Sequence, residues 1–188
     1  MKVTNLLSVT NQADLIAWLD EHHDTADCCW VITSIKPEPG KIRYLDAVEA
    51  ALCFGWIDGI KKKISPTETA QRLSPRSKKS SWTELNKARV RRLHKLGMMR
   101  QSGLDALPEM DPQQFQIDDQ ILQAIGSSKM RLAYFETLPE LYKRIRIDNI
   151  QFARDTPELY HKRLDKFLTS LDEQTMYGQW NDEGRLLN

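Results

Sequence analysis

The apolar pattern changes period once, at a glycine, and that change constrains the fold more than any other feature. Leu45, Val48, Ala51 and Leu52 recur at helical spacing, and Gly55 suits the left-handed position that closes a helix. From Trp56 to Ile64 the pattern alternates as a strand, Ser65-Pro66-Thr67 turns the chain, and Glu68 to Ser74 returns. The spacing predicts a helix over 44–54 running straight into a β-hairpin of strands 56–64 and 68–74. Hairpin-linked strands pair antiparallel. The lysines at 61–63 suit a solvent-facing edge.

The flanking segments extend this plan. Residues 11–23 read as a helix capped by Asn11, with Asp14 in its first turn and a stripe of Leu15, Trp18 and Leu19. Residues 28–35 are β-branched and aromatic enough for a buried strand, and Pro37, Pro39 and Gly40 then impose a loop. Ser81-x-x-Glu84 reads as a capping box opening a helix that reaches about Leu96. A short helix follows near 102–107. Further helices are predicted over 119–126, 128–137, 139–154 and 157–171, the last opened by Thr156-Pro157. The expected fold class is α+β: a small antiparallel sheet of three or four strands with a hairpin, packed by helices, and a helical C-terminal part. A domain over 1–107 carries the motifs. Residues 108–118 read as a linker, 119–172 as helices packed on the same domain, and 173–188 as a tail without periodicity.

No stretch approaches the roughly 18 apolar residues that span a bilayer, so no membrane span is expected. The first ten residues carry one Lys and no sustained apolar run, unlike a signal peptide. Of three cysteines, Cys28 and Cys29 are adjacent and Cys53 stands alone, which points to reduced thiols and cytoplasmic residence. The net charge of +1 conceals an asymmetry. Residues 61–100 hold 13 Lys or Arg against Glu68 and Glu84, leaving 14 basic and 24 acidic residues elsewhere. Such a basic third either attracts anions or is neutralised by acidic neighbours in the fold.

Standard catalytic and cofactor signatures are absent: no phosphate-binding loop, no G-x-G-x-x-G, no C-x-x-C, no H-E-x-x-H and no G-x-S-x-G. His22, His23, His94 and His161 lack partners at helical metal spacing, so neither a metal nor a cofactor is expected. Three stretches carry a different signal: Ala51-Leu52-Cys53-Phe54-Gly55-Trp56-Ile57-Asp58-Gly59, then Gln71-Arg72-Leu73-Ser74-Pro75-Arg76, then Ser80-Ser81-Trp82-Thr83-Glu84-Leu85-Asn86-Lys87. In these the chain resembles the YdeI/OmpD-associated family, which shows an ALCFGWIDG-like run, a proline-arginine step and an S-x-W-S-x-x-N-K helix start. The similarity is strongest over 44–104 and weaker over 11–35 and 119–172. It implies a bacterial α+β protein loosely associated with bacteriocin or antimicrobial-peptide protection, and it brings no catalytic residues. The chain departs from the family at Glu158-Leu159-Tyr160-His161-Lys162-Arg163, where relatives show E-T-R-x-x-R.

The same stretches supply the candidate site. Alternation places Asp58 on one face with Trp56 and Ile60, and a carboxylate against a tryptophan has its pKa raised unless a cation pairs with it. It reads as a general acid or base, as a ligand anchor, or as the buried partner of Arg72 or Arg76. Arg72 and Arg76, four residues apart and just upstream of a helix N-terminus, can converge on an anion. Ser80, Thr83 and Asn86 add neutral hydrogen bonds, and Trp82 lies one helical turn before Asn86. The candidate ligand-binding set is Trp56, Asp58, Arg72, Arg76, Ser80, Trp82, Asn86 and Lys87, with Asp58 the candidate catalytic group. The structural alternative is a capping network around a packed Trp82. Cys53, late in its helix where the dipole opposes a thiolate, reads as core. Lys87, Arg89, Arg91, Arg92, Lys95 and Arg100, with Lys61 to Lys63, suit a phosphate backbone, although no nucleic-acid motif accompanies them. The leading expectation is a binding or enzymatic site for a small anionic ligand. The alternatives are a protein-interaction module and non-specific nucleic-acid binding.

Overall fold

The computed structural model describes residues 2–187 and divides into two compact units. The first comprises the residues up to Ser81 with Arg89–Pro108, the second Trp82–Ala88 with the residues from Glu109 onward.

In the first unit, strands β1 (Leu6–Leu7), β2 (Cys29–Ser34), β3 (Ile42–Arg43), β4 (Trp56–Lys63) and β5 (Thr69–Pro75) form one sheet in the order β1-β2-β5-β4, with β3 also on β2. β4 and β5 pair antiparallel, as the hairpin requires, and β2 pairs antiparallel with β5. The two-residue strands β1 and β3 add parallel pairs to β2, so the sheet is mixed. Their sequences, Leu6-Leu7 and Ile42-Arg43, are too short to show a period.

Helix α1 (Gln12–His22) begins as expected: the Asn11 side chain accepts the Asp14 backbone N–H at 3.0 Å. Helix α2 (Tyr44–Cys53) packs on α1 and on β2, β3, β4 and β5. Every residue from Ala47 to Cys53 is buried, Glu49 among them. Three alanines in α2 and its small Cys53 let neighbouring backbones approach from several sides. Gly55 closes the helix at φ +73°. Helix α4 (Gln101–Asp105) crosses the end of α2, where Arg100 N–H donates to the Cys53 carbonyl at 2.9 Å. Cys29 and Cys53 are buried and Cys28 half-buried, and all three thiols are free. Burial, the largest cause for each, pushes the Cys29 thiol up to about 12 and the Cys53 thiol up to about 11.

The second unit is helical. α5 (Asp119–Gly126), α6 (Lys129–Thr137), α7 (Glu140–Gln151) and α8 (Pro157–Asp172) enclose a core that includes Ile121, Ile125, Tyr142, Ile147, Ile150 and Phe167. Two segments expected to be loose are packed. The linker holds a 3-10 turn at Pro112–Gln114, and Phe115 and Ile117 pack on the core. In the tail, Tyr177 and Trp180 meet Tyr142 edge-on at 6.5 and 5.5 Å, and the Tyr142 hydroxyl accepts the Tyr177 N–H. Single aromatic anchors fix a segment without giving it a period. Helix α3 (Glu84–Lys95) lies where the chain passes between units: 82–88 belongs to the second unit and 89–95 to the first. Among the described residues no helix is long and apolar enough to cross a membrane.

The contact at Gly55 sets a test. A Cβ there would lie 2.9 Å from the Ser102 carbonyl oxygen, and the left-handed backbone alone costs a non-glycine residue about 1–2 kcal/mol. At Gly103 a Cβ would collide with the Cys53 carbonyl. Gly55→Ala and Gly103→Ala are each expected to lower unfolding free energy by at least about 2 kcal/mol. Gly126→Ala, which meets open space, should leave it unchanged or higher in the same urea titrations.

Candidate functional site

Pairing register decides which side chains meet. Directly paired residues of antiparallel strands point to the same side. Asp58 pairs with Leu73, Leu73 with Cys29, and Trp56 with Pro75, so Trp56, Asp58 and Leu73 share the face that α1 and α2 cover. Trp56 is part of that packing. It is 1% exposed, meets Trp18 edge-on at 6.1 Å, and donates its indole N–H to the His23 carbonyl at 3.1 Å. Arg72 pairs with Trp30 and projects from the opposite face, where it donates to Ser74 Oγ at 2.8 Å. An offset of one residue therefore separates Arg72 from Asp58, and the expected pairing of the two does not form.

Between Asp58 and Lys61 the register shifts by one residue. Gln71, fully buried on β5, donates from Nε2 to the Gly59 carbonyl at 2.8 Å and holds this bulge. The alternation expected to carry Ile60 onto Asp58's face ends there. Ile60 is 53% exposed, and Lys61, paired with Gln71, takes that face instead. Lys61 Nζ sits 4.0 Å from the centre of the Tyr44 ring. The Tyr44 hydroxyl donates to Asp58 Oδ2 at 2.6 Å. Neither partnership was legible: Tyr44 is one aromatic residue at a helix start, and Lys61 is one of three consecutive lysines.

Arg76 prolongs the hairpin pairing, its N–H donating to the Gly55 carbonyl at 3.0 Å. Its guanidinium donates to the Ser81 carbonyl at 2.9 Å. Burial pulls its pKa down and the Asp58 carboxylate pulls it up, so the two groups lie within electrostatic reach. Ser80 is half-buried, with its N–H on the Ser77 carbonyl. The set thus brings Asp58 and Arg76 into one neighbourhood and adds Tyr44 and Lys61.

Trp82, Asn86 and Lys87 belong to the second unit. The expected capping box at Ser81 is displaced. α3 begins at Glu84, Thr83 Oγ1 accepts the Asn86 N–H at 3.2 Å, and the Glu84 N–H donates to Asp148 Oδ2 at 3.0 Å. Asp148 stands 64 residues away in sequence, so no local pattern announces it. Lys87 pairs with Glu84 Oε1 at 3.1 Å, and Arg144 approaches Glu84 Oε2 at 3.3 Å. Burial raises the Asp148 pKa, the Glu84 N–H lowers it, and the Glu84 carboxylate raises it again.

Much of the basic third is compensated. Arg92 pairs with buried Glu49 at 2.9 Å, Arg100 grips Asp20 through Nε and Nη2 at 2.9 and 3.1 Å, and Arg89 is 8% exposed. Among the described residues no three His, Cys, Asp or Glu side chains gather to hold a metal.

Two measurements follow from this geometry. Tyr44→Phe removes a part-buried hydrogen bond to a carboxylate and is expected to cost about 1.5–3 kcal/mol, and Arg76→Ala, which removes among other contacts a bond to the Ser81 carbonyl at the surface, to cost less. Urea unfolding ranks the two, and the reverse order would show that Arg76 is the structural member. Asp148 holds its proton more tightly folded than unfolded. Its contribution therefore disfavours folding as pH rises from the ordinary carboxylate value through the raised folded one. Asp148→Asn should flatten that slope in stability measured across the acid range.

A family model described as Domain of unknown function (DUF8412) matches residues 7–106. Neither a curated protein nor a solved structure matches the chain. The match takes in the sheet from Leu7 onward, α1 to α4, and the Tyr44, Asp58, Lys61 and Arg76 cluster. The chain belongs to the family of the Domain of unknown function (DUF8412).

Proposed function

We propose that this protein binds, or acts on, a small anionic molecule at the edge of the sheet where Tyr44, Asp58, Lys61 and Arg76 gather. The observation that carries the reading is the 2.6 Å bond from the Tyr44 hydroxyl to Asp58, with Lys61 4.0 Å over the same ring. Asp58 fixes the phenol, and a phenol oxygen is an acceptor as well as a donor. Lys61 and Arg76 supply two positive charges against one carboxylate, leaving the cluster net positive. Arg43 precedes α2 without a side-chain cap bond, so the positive end of the helix dipole adds to the field. Trp56 and Arg72 contribute through the scaffold rather than by contact.

Two of the stretches that resemble the YdeI/OmpD-associated family, 51–59 and 71–76, supply Asp58 and Arg76. A role in bacteriocin or antimicrobial-peptide protection belongs to this proposal on that resemblance alone. Cytoplasmic residence belongs to it as well, supported by the three free thiols. Nucleic-acid binding through the basic 87–100 segment is the weaker alternative, because Arg92 and Arg100 already hold carboxylates.

The test is a thermal-shift and calorimetric screen of phosphorylated and carboxylated metabolites. At least one is expected to stabilise the wild-type chain. Its affinity should fall at least about tenfold, roughly 1.4 kcal/mol, in both Arg76→Ala and Tyr44→Phe. No response from the wild-type chain, or a response unchanged in both variants, removes the reading.

A further inference from the structure

The second unit contains a cleft that owes nothing to the site proposed above. One wall is α7, whose residues 145, 146, 148 and 149, with Phe152 just beyond the helix, recur at the spacing of one helical face. Thr83 and Leu85 from the start of α3, Arg163 from α8 and Gln179 from the tail complete the lining. The volume is ≈ 350 Å³, at the small end of the range for ligand clefts, about 300–1,000 Å³.

The polar groups in it are held in place. The Arg146 guanidinium lies 5.5 and 5.0 Å from the ring centres of Tyr142 and Tyr177, and Nη2 donates to the Gln179 carbonyl at 3.1 Å. Arg163 Nη1 donates to the Asn149 carbonyl. Each guanidinium has five N–H groups, so each retains donors for an incoming anion, and a clamped arginine loses little freedom on binding. Asp148 receives the Glu84 N–H on one oxygen and retains acceptor capacity for a donor on the ligand. Phe152 is 61% exposed, a large apolar ring at the rim of a charged cleft. Burial raises the Asp148 pKa, as expected of a carboxyl facing a partly enclosed site rather than open water.

We propose that this cleft binds a small molecule that carries an anionic group, a flat ring and a hydrogen-bond donor. Arg146 and Arg163 take the anion, Phe152 stacks on the ring, and Asp148 accepts from the donor. Nucleoside monophosphates and aromatic amino acids both present that combination, with phosphate or carboxylate as the anion. A cleft of this volume excludes longer polymers from full enclosure.

The experiment is calorimetric titration of the full chain with a set of nucleoside monophosphates, with tryptophan and tyrosine, and with inorganic phosphate as the ringless control. One organic arm is expected to bind with a Kd below about 1 mM, at least tenfold more tightly than inorganic phosphate. The responding arm tells phosphate from carboxylate recognition. Phe152→Ala removes an exposed side chain at little cost to folding and should weaken the organic ligand at least fivefold while leaving inorganic phosphate unchanged. Arg163→Gln should weaken both. Arg76→Ala, in the other unit, should change neither, which separates this site from the one above. No binding by either organic arm, or binding unchanged in both Phe152→Ala and Arg163→Gln, overturns the proposal.

Discussion

The first unit depends on one short helix being buried on every side. α2 carries alanine at 47, 50 and 51 and cysteine at 53, and these small side chains let β-strands, α1 and α4 approach its backbone closely. The exception is Glu49, a carboxylate 3% exposed in the middle of that helix, which pairs with Arg92 at 2.9 Å. Removing one partner of a buried pair strands the other charge at about 3–5 kcal/mol, so the position of the 89–95 segment is tied to α2. The basic residues there are thus partly an answer to acidic residues elsewhere. Arg100 answers Asp20 in the same way, across 80 residues of sequence. A net charge near zero is what such long-range pairing leaves behind.

How much of this was legible varies with the range of the interaction. The Asn11 cap, the closure of α2 at Gly55 and the hairpin after it follow from local backbone preference, and the structure has all three. The antiparallel pairing of β4 with β5 follows from the hairpin. The parallel edges do not, because Leu6-Leu7 and Ile42-Arg43 reveal their pairing only when β2 is in place. The helix start at Thr83, two residues later than the Ser81 box, depends on Asp148 taking the Glu84 N–H. No local motif competes with a partner supplied from another helix.

The candidate site shows the same division. Asp58 was singled out as a carboxylate in an otherwise apolar run and Arg76 as a guanidinium just upstream of a helix start, and the two do lie within electrostatic reach. What the sequence concealed is the bulge. One extra residue, stabilised by the buried amide of Gln71, exchanges Ile60 for Lys61 on the face of Asp58. Strand alternation is exact only in an uninterrupted ladder, and an insertion of one residue inverts every assignment beyond it. Arg72 illustrates the complementary error: it stands one position out of phase with Leu73, the partner of Asp58, and so takes the other side of the sheet.

The interleaving of the two units bears on the order in which the chain assembles during synthesis. Residues 82–88 emerge from the ribosome just before 89–108, which complete the first unit, yet they belong to the second. Glu84 must wait for Arg144 and Asp148, some 60 residues later, before its carboxylate and N–H find those partners. At about 5–20 residues per second, that delay is on the order of 3–12 seconds. Through that interval the start of α3 is a nascent helix without its long-range anchor.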